Sequence, residues 1–211
     1  MYLVTCTRPN ISYAVGVLAR FISNPGRAHW VAAMHLLRYI KATLHLQLVY
    51  GPGSSQEEFL TYTDADHGGN PDNGKSTGAY LVTVGSGAIS WSSKLQSVVA
   101  LSSTEAEYIA AVEAGKEIMW LRNMHEEFGE KMKVASTLLM DNQSAIKVTQ
   151  NPEHHGRMKH LDLRTFWLRD IVEAGEIMPY HLPTSEMAAD LLTKPLARDK
   201  VERFRRMMGL M

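Results

Sequence analysis

Apolar side chains recur every three or four positions through the first fifty residues, which predicts amphipathic helices. One helix is predicted over residues 10–22 and a second over residues 28–46, with Asn24-Pro25-Gly26 between them. The run Gly51-Pro52-Gly53-Ser54-Ser55 then interrupts the pattern. We therefore predict a helical N-terminal segment over residues 1–50 and a linker over residues 51–58.

Beyond the linker, short apolar runs alternate with longer periodic segments. The short runs predict strands at residues 59–64, 79–84, 88–91, 137–140 and 177–181. The periodic segments predict helices at residues 104–128, 142–150, 160–174 and 185–193. Strands interleaved with helices in this order favour a mixed sheet that is covered on its faces. We expect an α/β domain over residues 59–193, followed by a basic C-terminal tail over residues 194–211.

Composition narrows the class of protein. The 211 residues carry no net charge, but the first fifty contain five basic residues and no acidic one. That asymmetry suits a protein that handles nucleic acid, and equally a helix with ordinary solvated charges. Cys6 is the single cysteine, which excludes an internal disulfide framework and suits a reducing compartment. No apolar run is long enough for a membrane span, so we expect an intracellular protein without membrane contact.

Four acidic residues stand at predicted strand ends or on predicted helices: Asp64, Glu107, Asp141 and Asp190. Magnesium prefers oxygen ligands, and two such ions about 4 Å apart can hold the attacking water and the leaving oxygen of one phosphate. A cluster of carboxylates also needs cations, because like charges raise each other's pKa. Taken as a set, the four acids predict a metal-assisted phosphodiester hydrolase.

Each acid also has a simpler local interpretation. Asp64 could begin an Asx turn, Asp141 could cap the helix that follows it, and Asp190 could be an ordinary polar helix residue, although apolar neighbours flank it. Near the start of the long helix, either Glu105 or Glu107 could close a capping box and leave the other free. The hydrolase hypothesis therefore depends on the set and not on any one member.

Several of these segments resemble a known family. The runs YTDADHGGN, DNGKSTGAY, AISWSSKLQ, VALSSTEAEYIAA, DNQSAI, KHLDLR and ADLLTKPL are similar to the RNase H domain of copia-type (pseudovirus) retrotransposon Pol polyproteins. The first fifty residues resemble the stretch that connects the reverse transcriptase to RNase H in those polyproteins. The resemblance implies an RNase H-like fold, with a five-stranded mixed sheet flanked by helices.

The resemblance also implies an activity. It implies endonucleolytic hydrolysis of the RNA strand of RNA–DNA hybrids with two Mg²⁺ ions, leaving 5′-phosphate and 3′-hydroxyl ends, and Mn²⁺ could replace Mg²⁺. By motif, Asp64, Glu107, Asp141 and Asp190 match the family's catalytic metal ligands, and Glu105 is the alternative to Glu107. His67 stands where many relatives have Trp, with little expected consequence. The His-containing loop before the last acid is shortened to Leu182-Pro183-Thr184, which leaves His181 as the candidate for aiding product release.

Substrate contacts are expected from polar and basic side chains near the motifs. The polar candidates for contact with sugar or phosphate are Ser76, Thr77, Asn142, Gln143 and Ser144. A basic stretch contributes further candidates for backbone contact: His154, His155, Arg157, Lys159, His160 and Arg164. The same stretch could instead hold zinc through His155, His160 and Asp162, or could be a solvated start of a helix.

The expected partners are an RNA–DNA hybrid and the polymerase portion of a parent polyprotein, in the cytoplasm within a virus-like particle or in the nucleus. A hypothesis of another class remains beside this one. The chain could be a catalytically silent or domesticated module that only binds nucleic acid or a partner protein. The presence of all four carboxylates argues against decay of the site.

Overall fold

A five-stranded mixed sheet forms the centre of the molecule in this computed structural model, which describes residues 1–51, 59–129, 132–150 and 164–211. The sheet order is β3-β2-β1-β4-β5, in which β3, β2 and β1 are antiparallel neighbours and β4 and β5 continue parallel to β1. The strands are β1 (Leu60–Ala65), β2 (Thr77–Val84), β3 (Gly87–Leu95), β4 (Ser136–Met140) and β5 (Ile177–His181). The RNase H-like fold class predicted from the sequence is therefore confirmed.

Seven α-helices accompany the sheet in the described ranges: α1 (Tyr2–Cys6), α2 (Ser12–Ala19), α3 (Arg27–Ala42), α4 (Ser103–Glu127), α5 (Gln143–Gln150), α6 (Arg164–Glu173) and α7 (Arg198–Met207). The predicted helix 10–22 is shorter than expected, because it begins with the 3-10 turn Pro9–Ile11 and ends at Ala19. The predicted helix 185–193 is instead two 3-10 segments, Thr184–Glu186 and Ala188–Leu192. Residues 160–163 of another predicted helix lie outside the described residues.

The two faces of the sheet pack against different layers. On one face, β4 and β5 bury Leu138, Met140 and Ile177 against α4, α5 and α6. On the other face, Tyr62 and Leu81 pack against the 3-10 segment Ala188–Leu192 and α7. Alternation of side chains along each strand explains the two clusters, because successive residues point to opposite faces. Asp64, two positions after Tyr62, therefore lies on the second face.

The end of the N-terminal segment meets the C-terminal residues beside the β2–β3 turn, in a region that we call the terminal clasp (residues 47–51 and 208–211 with the turn). Gln47 and Met211 exchange two backbone hydrogen bonds, of 2.7 and 3.0 Å. Ala88 N donates to Met208 O at 3.0 Å, and Tyr50 Oη donates to Ala88 O at 2.9 Å. The clasp therefore joins residues 47–51 and the C-terminal residues to the antiparallel edge of the sheet.

Residues 194–211, predicted as a basic C-terminal tail, pack against the rest of the molecule. Phe204, Met208 and Leu210 are fully buried, so α7 contributes directly to the core. The N-terminal segment also contacts the sheet, since Trp91 Nε1 donates to Val4 O at 2.7 Å. Residues 52–58, most of the predicted linker, lie outside the described residues. Among the helices described, none combines the length and apolarity needed to cross a membrane.

Candidate metal centre

Asp64 enters the site from β1. It lies opposite Ala79 of β2 and is 1% exposed. Its Oδ2 accepts a short hydrogen bond from Thr193 Oγ1. The Asx turn considered for this segment is made by Asp66 instead, whose Oδ1 accepts from Thr77 N at 2.7 Å and Gly69 N at 3.2 Å. Because Asp66 organises the loop, Asp64 is left free to face the interior of the site.

Glu107 enters the site from the first turns of α4, and the capping alternative is resolved in its favour. Ser102 Oγ accepts from Glu105 N at 3.1 Å, and Glu105 Oε2 accepts from Leu101 N at 2.8 Å. The glutamate that satisfies the helix N-terminus is therefore Glu105. Glu107 is buried, and its Oε1 accepts from Ala65 N at 3.2 Å, which ties the carboxylate to β1.

Asp141 enters the site from the end of β4, and here too a neighbour caps the helix. Asn142 Oδ1 accepts from Ser144 N and Ala145 N, both at 3.0 Å, so Asn142 caps α5. Asp141 is half-buried and its Oδ2 accepts from Thr184 Oγ1 at 2.8 Å. The local interpretation of Asp141 as a cap is therefore wrong.

Three of the four predicted acids come together. One carboxylate oxygen from each of Asp64, Glu107 and Asp141 lies within 4.8 Å of the others. Burial and the neighbouring charges of Asp64 and Asp141 raise the pKa of Glu107 from 4.5 to about 9. Its Oε2 has no hydrogen-bond partner among the described residues. The cluster is thus an oxygen-only donor set in which Glu107 has no ion-pair partner among the described residues.

Asp190 is buried beside this cluster but is held differently. Its Oδ1 lies 2.9 Å from Lys194 Nζ, and the same Nζ lies 3.4 Å from Asp64 Oδ2. Burial and the charge of Asp64 raise the pKa of Asp190 from 3.8 to about 6. Burial lowers the pKa of Lys194, but the nearby carboxylates of Asp64 and Asp190 outweigh that effect and raise it overall. The ammonium therefore bridges two of the four acids.

Lys194 and Thr193 were not among the residues predicted from the sequence. A signal for them is present, because they follow Asp190 by four and three positions, the spacing that places side chains on one side of a helical turn. Thr184, which orients Asp141, has no comparable signal. It reaches the site only because β4 and β5 are parallel neighbours that end at the same edge of the sheet.

The residues predicted to contact nucleic acid fall into three groups. Ser76 and Thr77 are almost fully buried and differ from expectation, because Ser76 Oγ accepts from Gly68 N and Thr77 Oγ1 accepts from Arg20. Gln143 and Ser144 are exposed at the start of α5, whereas the side chain of Asn142 is engaged as the cap. The remaining positions lie outside the described residues or, for one at the start of α6, outside the described side chains: His154, His155, Arg157, Lys159, His160, Asp162 and Arg164.

Two histidines considered from the sequence lie at the edges of this region. His67 follows the acidic motif of β1 with a φ of +42°, a left-handed conformation that is uncommon for a residue other than glycine. His181 is exposed at the end of β5 and pairs with Met140, the residue before Asp141. Its role in aiding product release stays a prediction from the sequence.

Comparison with known proteins gives long matches to retrotransposon polyproteins. The chain is 45% identical over 210 residues to the retrovirus-related Pol polyprotein from transposon TNT 1-94 of Nicotiana tabacum, covering 100% of this chain and 16% of that protein. It is 36% identical over 204 residues to the polyprotein from transposon RE2 of Arabidopsis thaliana, covering 97% of this chain and 14% of that protein. A scan against protein-family models gives no match.

A shorter relative and two solved structures add to this comparison. Secreted RxLR effector protein 161 of Plasmopara viticola is 43% identical over 121 residues, covering 57% of this chain and 84% of that protein. LC11-RNase H1 in complex with an RNA/DNA hybrid matches with a TM-score of 0.46 and 18% identity, over 64% of this chain and 94% of that one. A second LC11-RNase H1 structure matches with a TM-score of 0.49 and 19% identity, over 69% and 96%.

The chain thus spans about one sixth of the first plant polyprotein that it matches, and the alignment includes its N-terminal helices as well as the sheet. The chain belongs to the family of copia-type retrotransposon Pol polyproteins, of which it forms an RNase H-like portion.

Proposed function

We propose that this protein is an RNA–DNA hybrid ribonuclease, which hydrolyses the RNA strand endonucleolytically during retrotransposon reverse transcription. The observation that carries the proposal is the convergence of Asp64, Glu107 and Asp141, whose oxygens lie within 4.8 Å of one another inside an RNase H-like sheet. Carboxylates that are this close and this buried are unfavourable without cations. A site of this kind is therefore suited to cation-dependent phosphodiester chemistry.

The donor set fits hard divalent cations. All donors are carboxylate oxygens, which Mg²⁺ and Mn²⁺ both prefer, and Glu107 Oε2 is a buried oxygen without a protein partner among the described residues. Asp64, Glu107 and Asp141 would hold one ion, and Asp64 with Asp190 would hold a second. Two bound cations would supply an activated water and would stabilise the leaving oxygen of the same phosphate.

The protein's own residues orient these donors. Ala65 N fixes one oxygen of Glu107, Thr184 fixes Asp141, and Thr193 fixes Asp64. Each of these contacts leaves a second oxygen of the same carboxylate for a ligand. Because the supporting donors belong to strand ends and short helical turns, the ligand atoms are positioned before a substrate arrives, which reduces the cost of reorganisation.

Substrate recognition is proposed for the surface next to Asp141. Gln143 and Ser144 are exposed and could contact sugar or phosphate oxygens, and the 2′-hydroxyl is the group that distinguishes the RNA strand. Ser76 and Thr77 would act indirectly, by shaping the loop that follows β1. Backbone contact through Arg157, Lys159, His160 and Arg164 stays a prediction from the sequence.

The direct test is cleavage of a labelled RNA strand within an RNA–DNA hybrid by the whole chain. We expect cutting with Mg²⁺ or Mn²⁺, no cutting in a chelator, and no cutting of double-stranded DNA. Asp64→Asn should slow the reaction by at least about 10³-fold, since several kcal/mol of transition-state stabilisation would be lost. Asp72→Asn is the matched control, because Asp72 is an exposed aspartate of the following loop. Equal cutting by wild type and Asp64→Asn would refute the proposed site.

A second candidate function is a binding module that does not cut. The observation that favours it is the 43% identity to a secreted RxLR effector over 84% of that protein, which associates this kind of sequence with a setting other than a polyprotein. Tight binding of hybrid by the wild type without cleavage in Mg²⁺ or Mn²⁺ would support this candidate over the first.

The polymerase portion of a parent polyprotein is the proposed partner, within a cytoplasmic virus-like particle. The N-terminal segment exposes large apolar side chains, with Trp30 68%, Leu37 56% and Leu44 72% exposed. Such a surface is typical of an interface with another part of an assembly. Co-purification with a polymerase module should be lost when Trp30 and Leu37 are replaced by Ser, and retained when the exposed Phe128 is replaced by Ser.

A further inference from the structure

The fourth acid is separated from the other three by an internal cation. Lys194 Nζ lies 2.9 Å from Asp190 Oδ1 and 3.4 Å from Asp64 Oδ2. Both aspartates are at most 2% exposed, so water cannot substitute for this contact. Asp64 also belongs to the three-acid cluster with Glu107 and Asp141, and neither of those two acids forms an ion pair with a lysine or arginine among the described residues.

The backbone holds Lys194 in this position. Lys194 N donates to Asp190 O at 3.2 Å, which closes one helical turn after the 3-10 segment Ala188–Leu192. Thr193 lies within the same turn, and its hydroxyl donates to Asp64 Oδ2. One turn of chain therefore directs both a hydroxyl and an ammonium at the carboxylate of Asp64. The position of the ammonium is therefore fixed by the local backbone.

Between two buried carboxylates, a lysine ammonium and a divalent cation both offset the repulsion of the negative charges. They cannot do it together here, because a divalent ion that bridged Asp64 and Asp190 would occupy the position that the ammonium fills. The side chain of Lys194 is 35% exposed, so its flexible stem has a route to solvent. Displacement is therefore physically available to Lys194, whereas no such displacement is needed at the three-acid cluster.

We propose that Lys194 is a built-in competitor for the second divalent cation, which can bind between Asp64 and Asp190 only after the ammonium has moved out. This inference rests on the proposed two-cation function. The two ions are then unequal: the first binds at Asp64, Glu107 and Asp141, and the second binds more weakly, at the expense of the Lys194 contacts. Lys194 is a positioning residue that offsets part of the negative charge of Asp64 and Asp190 until the second ion arrives.

The test is a titration of the whole chain with Mn²⁺ in the absence of nucleic acid, followed by calorimetry and by the paramagnetic resonance of free Mn²⁺. The wild type should show one tighter and one weaker site. Lys194→Met should tighten the weaker site by about tenfold or more, equivalent to about 1.4 kcal/mol, and leave the tighter site unchanged. Lys194→Arg should retain the weak second site because it keeps the charge. Lys116→Met, at an exposed lysine paired with Glu113, is the control.

The possible outcomes distinguish a failure of the proposed role of Lys194 from a failure of the proposed two-cation function. A second site in Lys194→Met that is as weak as in the wild type, with a normal first site, would overturn the role of Lys194 alone. Equal Mn²⁺ binding by the wild type and Asp64→Asn would overturn the two-cation function and this inference with it.

A measurement on the wild type remains decisive should Lys194→Met fail to fold. The ¹⁵Nζ resonance of Lys194, assigned by its loss in Lys194→Arg, should shift during the second Mg²⁺ binding step and not during the first. A resonance that shifts with the first equivalent, or that does not shift at all, would contradict the displacement of Lys194.

Discussion

The metal centre and the terminal clasp each bring together residues from distant parts of the chain. The contacts in the clasp stabilise the folded state, whereas those between the acids of the metal centre destabilise it. In the clasp, complementary groups meet: residues 47–49 pair with residues 209–211 through the backbone, and Phe204 and Met208 are buried beside them. In the metal centre, like groups meet, since Asp64 and Glu107 are both buried carboxylates, and burial and the charge of Asp64 raise the pKa of Glu107. One region stabilises the fold, and the other is held in place by it.

Because of this difference, substitutions in the two regions should change the stability of the folded state in opposite directions. Removing a side chain from the clasp leaves a cavity or an unpaired group, and the folded state loses free energy. Removing a charge from the metal centre relieves repulsion, so the metal-free fold should gain stability while function is lost. Opposition between stability and activity is common at sites that hold uncompensated charge.

The largest expected effect on stability comes from removing a buried side chain next to the terminal clasp. Phe204 of α7 is fully buried in the cluster that contains Leu81 and Met208. Phe204→Ala should lower the free energy of unfolding by about 3–5 kcal/mol, measured by urea denaturation in a chelator. Phe128→Ala is the matched control, because Phe128 is 78% exposed and its loss should change stability by less than about 0.5 kcal/mol. Similar losses for both variants would show that α7 does not contribute to the core as described.

A smaller effect, of opposite sign, is expected at the metal centre. In the metal-free fold Glu107 has a pKa of about 9, against 4.5 as its ordinary value, so at neutral pH folding takes up a proton. The contribution of Glu107 to stability therefore declines as pH rises from about 4.5 to about 9. Glu107→Gln removes this dependence and should be more stable than the wild type by about 1–3 kcal/mol at pH 7. Urea midpoints measured in a chelator across this pH range provide the test.

The control for this variant is Glu105→Gln, two positions earlier on the same helix. Glu105 caps α4 through Leu101 N and does not belong to the three-acid cluster. Its substitution should be neutral or slightly destabilising at every pH. The stability difference between Glu107→Gln and the wild type should vanish near pH 4 and widen with pH. A difference that is constant with pH would contradict burial and repulsion as its cause.

The sequence allowed the sheet and the acids to be predicted because local signals and family motifs coincide there. Strand β5 was predicted with the bounds that the structure has, and α4 within one residue at each end. The choice between Glu105 and Glu107 could be posed from the sequence but not decided, since both spacings fit a capping box. The structure separates the two, because Glu105 accepts from Leu101 N at the helix N-terminus, whereas Glu107 accepts from Ala65 N across 42 positions.

Other features have no local signal at all. Nothing in residues 1–50 indicates that Val4 accepts from Trp91 or that Arg20 reaches Thr77, because these contacts depend on how helices dock onto a finished sheet. The 3-10 geometry of residues 188–192 is a tertiary effect too, since its side chains are fully or almost fully buried and an apolar run of that length also fits an α-helix. Lys194 owes its place in the site to that turn.

The smallest expected effect concerns the contact that connects the N-terminal segment to the loop next to the metal centre. Arg20 Nη2 of the N-terminal segment donates to Thr77 Oγ1 at 3.1 Å, and Thr77 N in turn donates to Asp66. Arg20→Met keeps the aliphatic stem but removes the donor, which should cost about 1 kcal/mol. Arg38→Met, at an exposed arginine of α3, should cost less. Hydrogen exchange of the amides of residues 66–77 provides the local readout, and faster exchange is expected in Arg20→Met alone. If both variants left that exchange unchanged, the N-terminal helices would only lie against the loop, and the metal centre would be built by the sheet without their support.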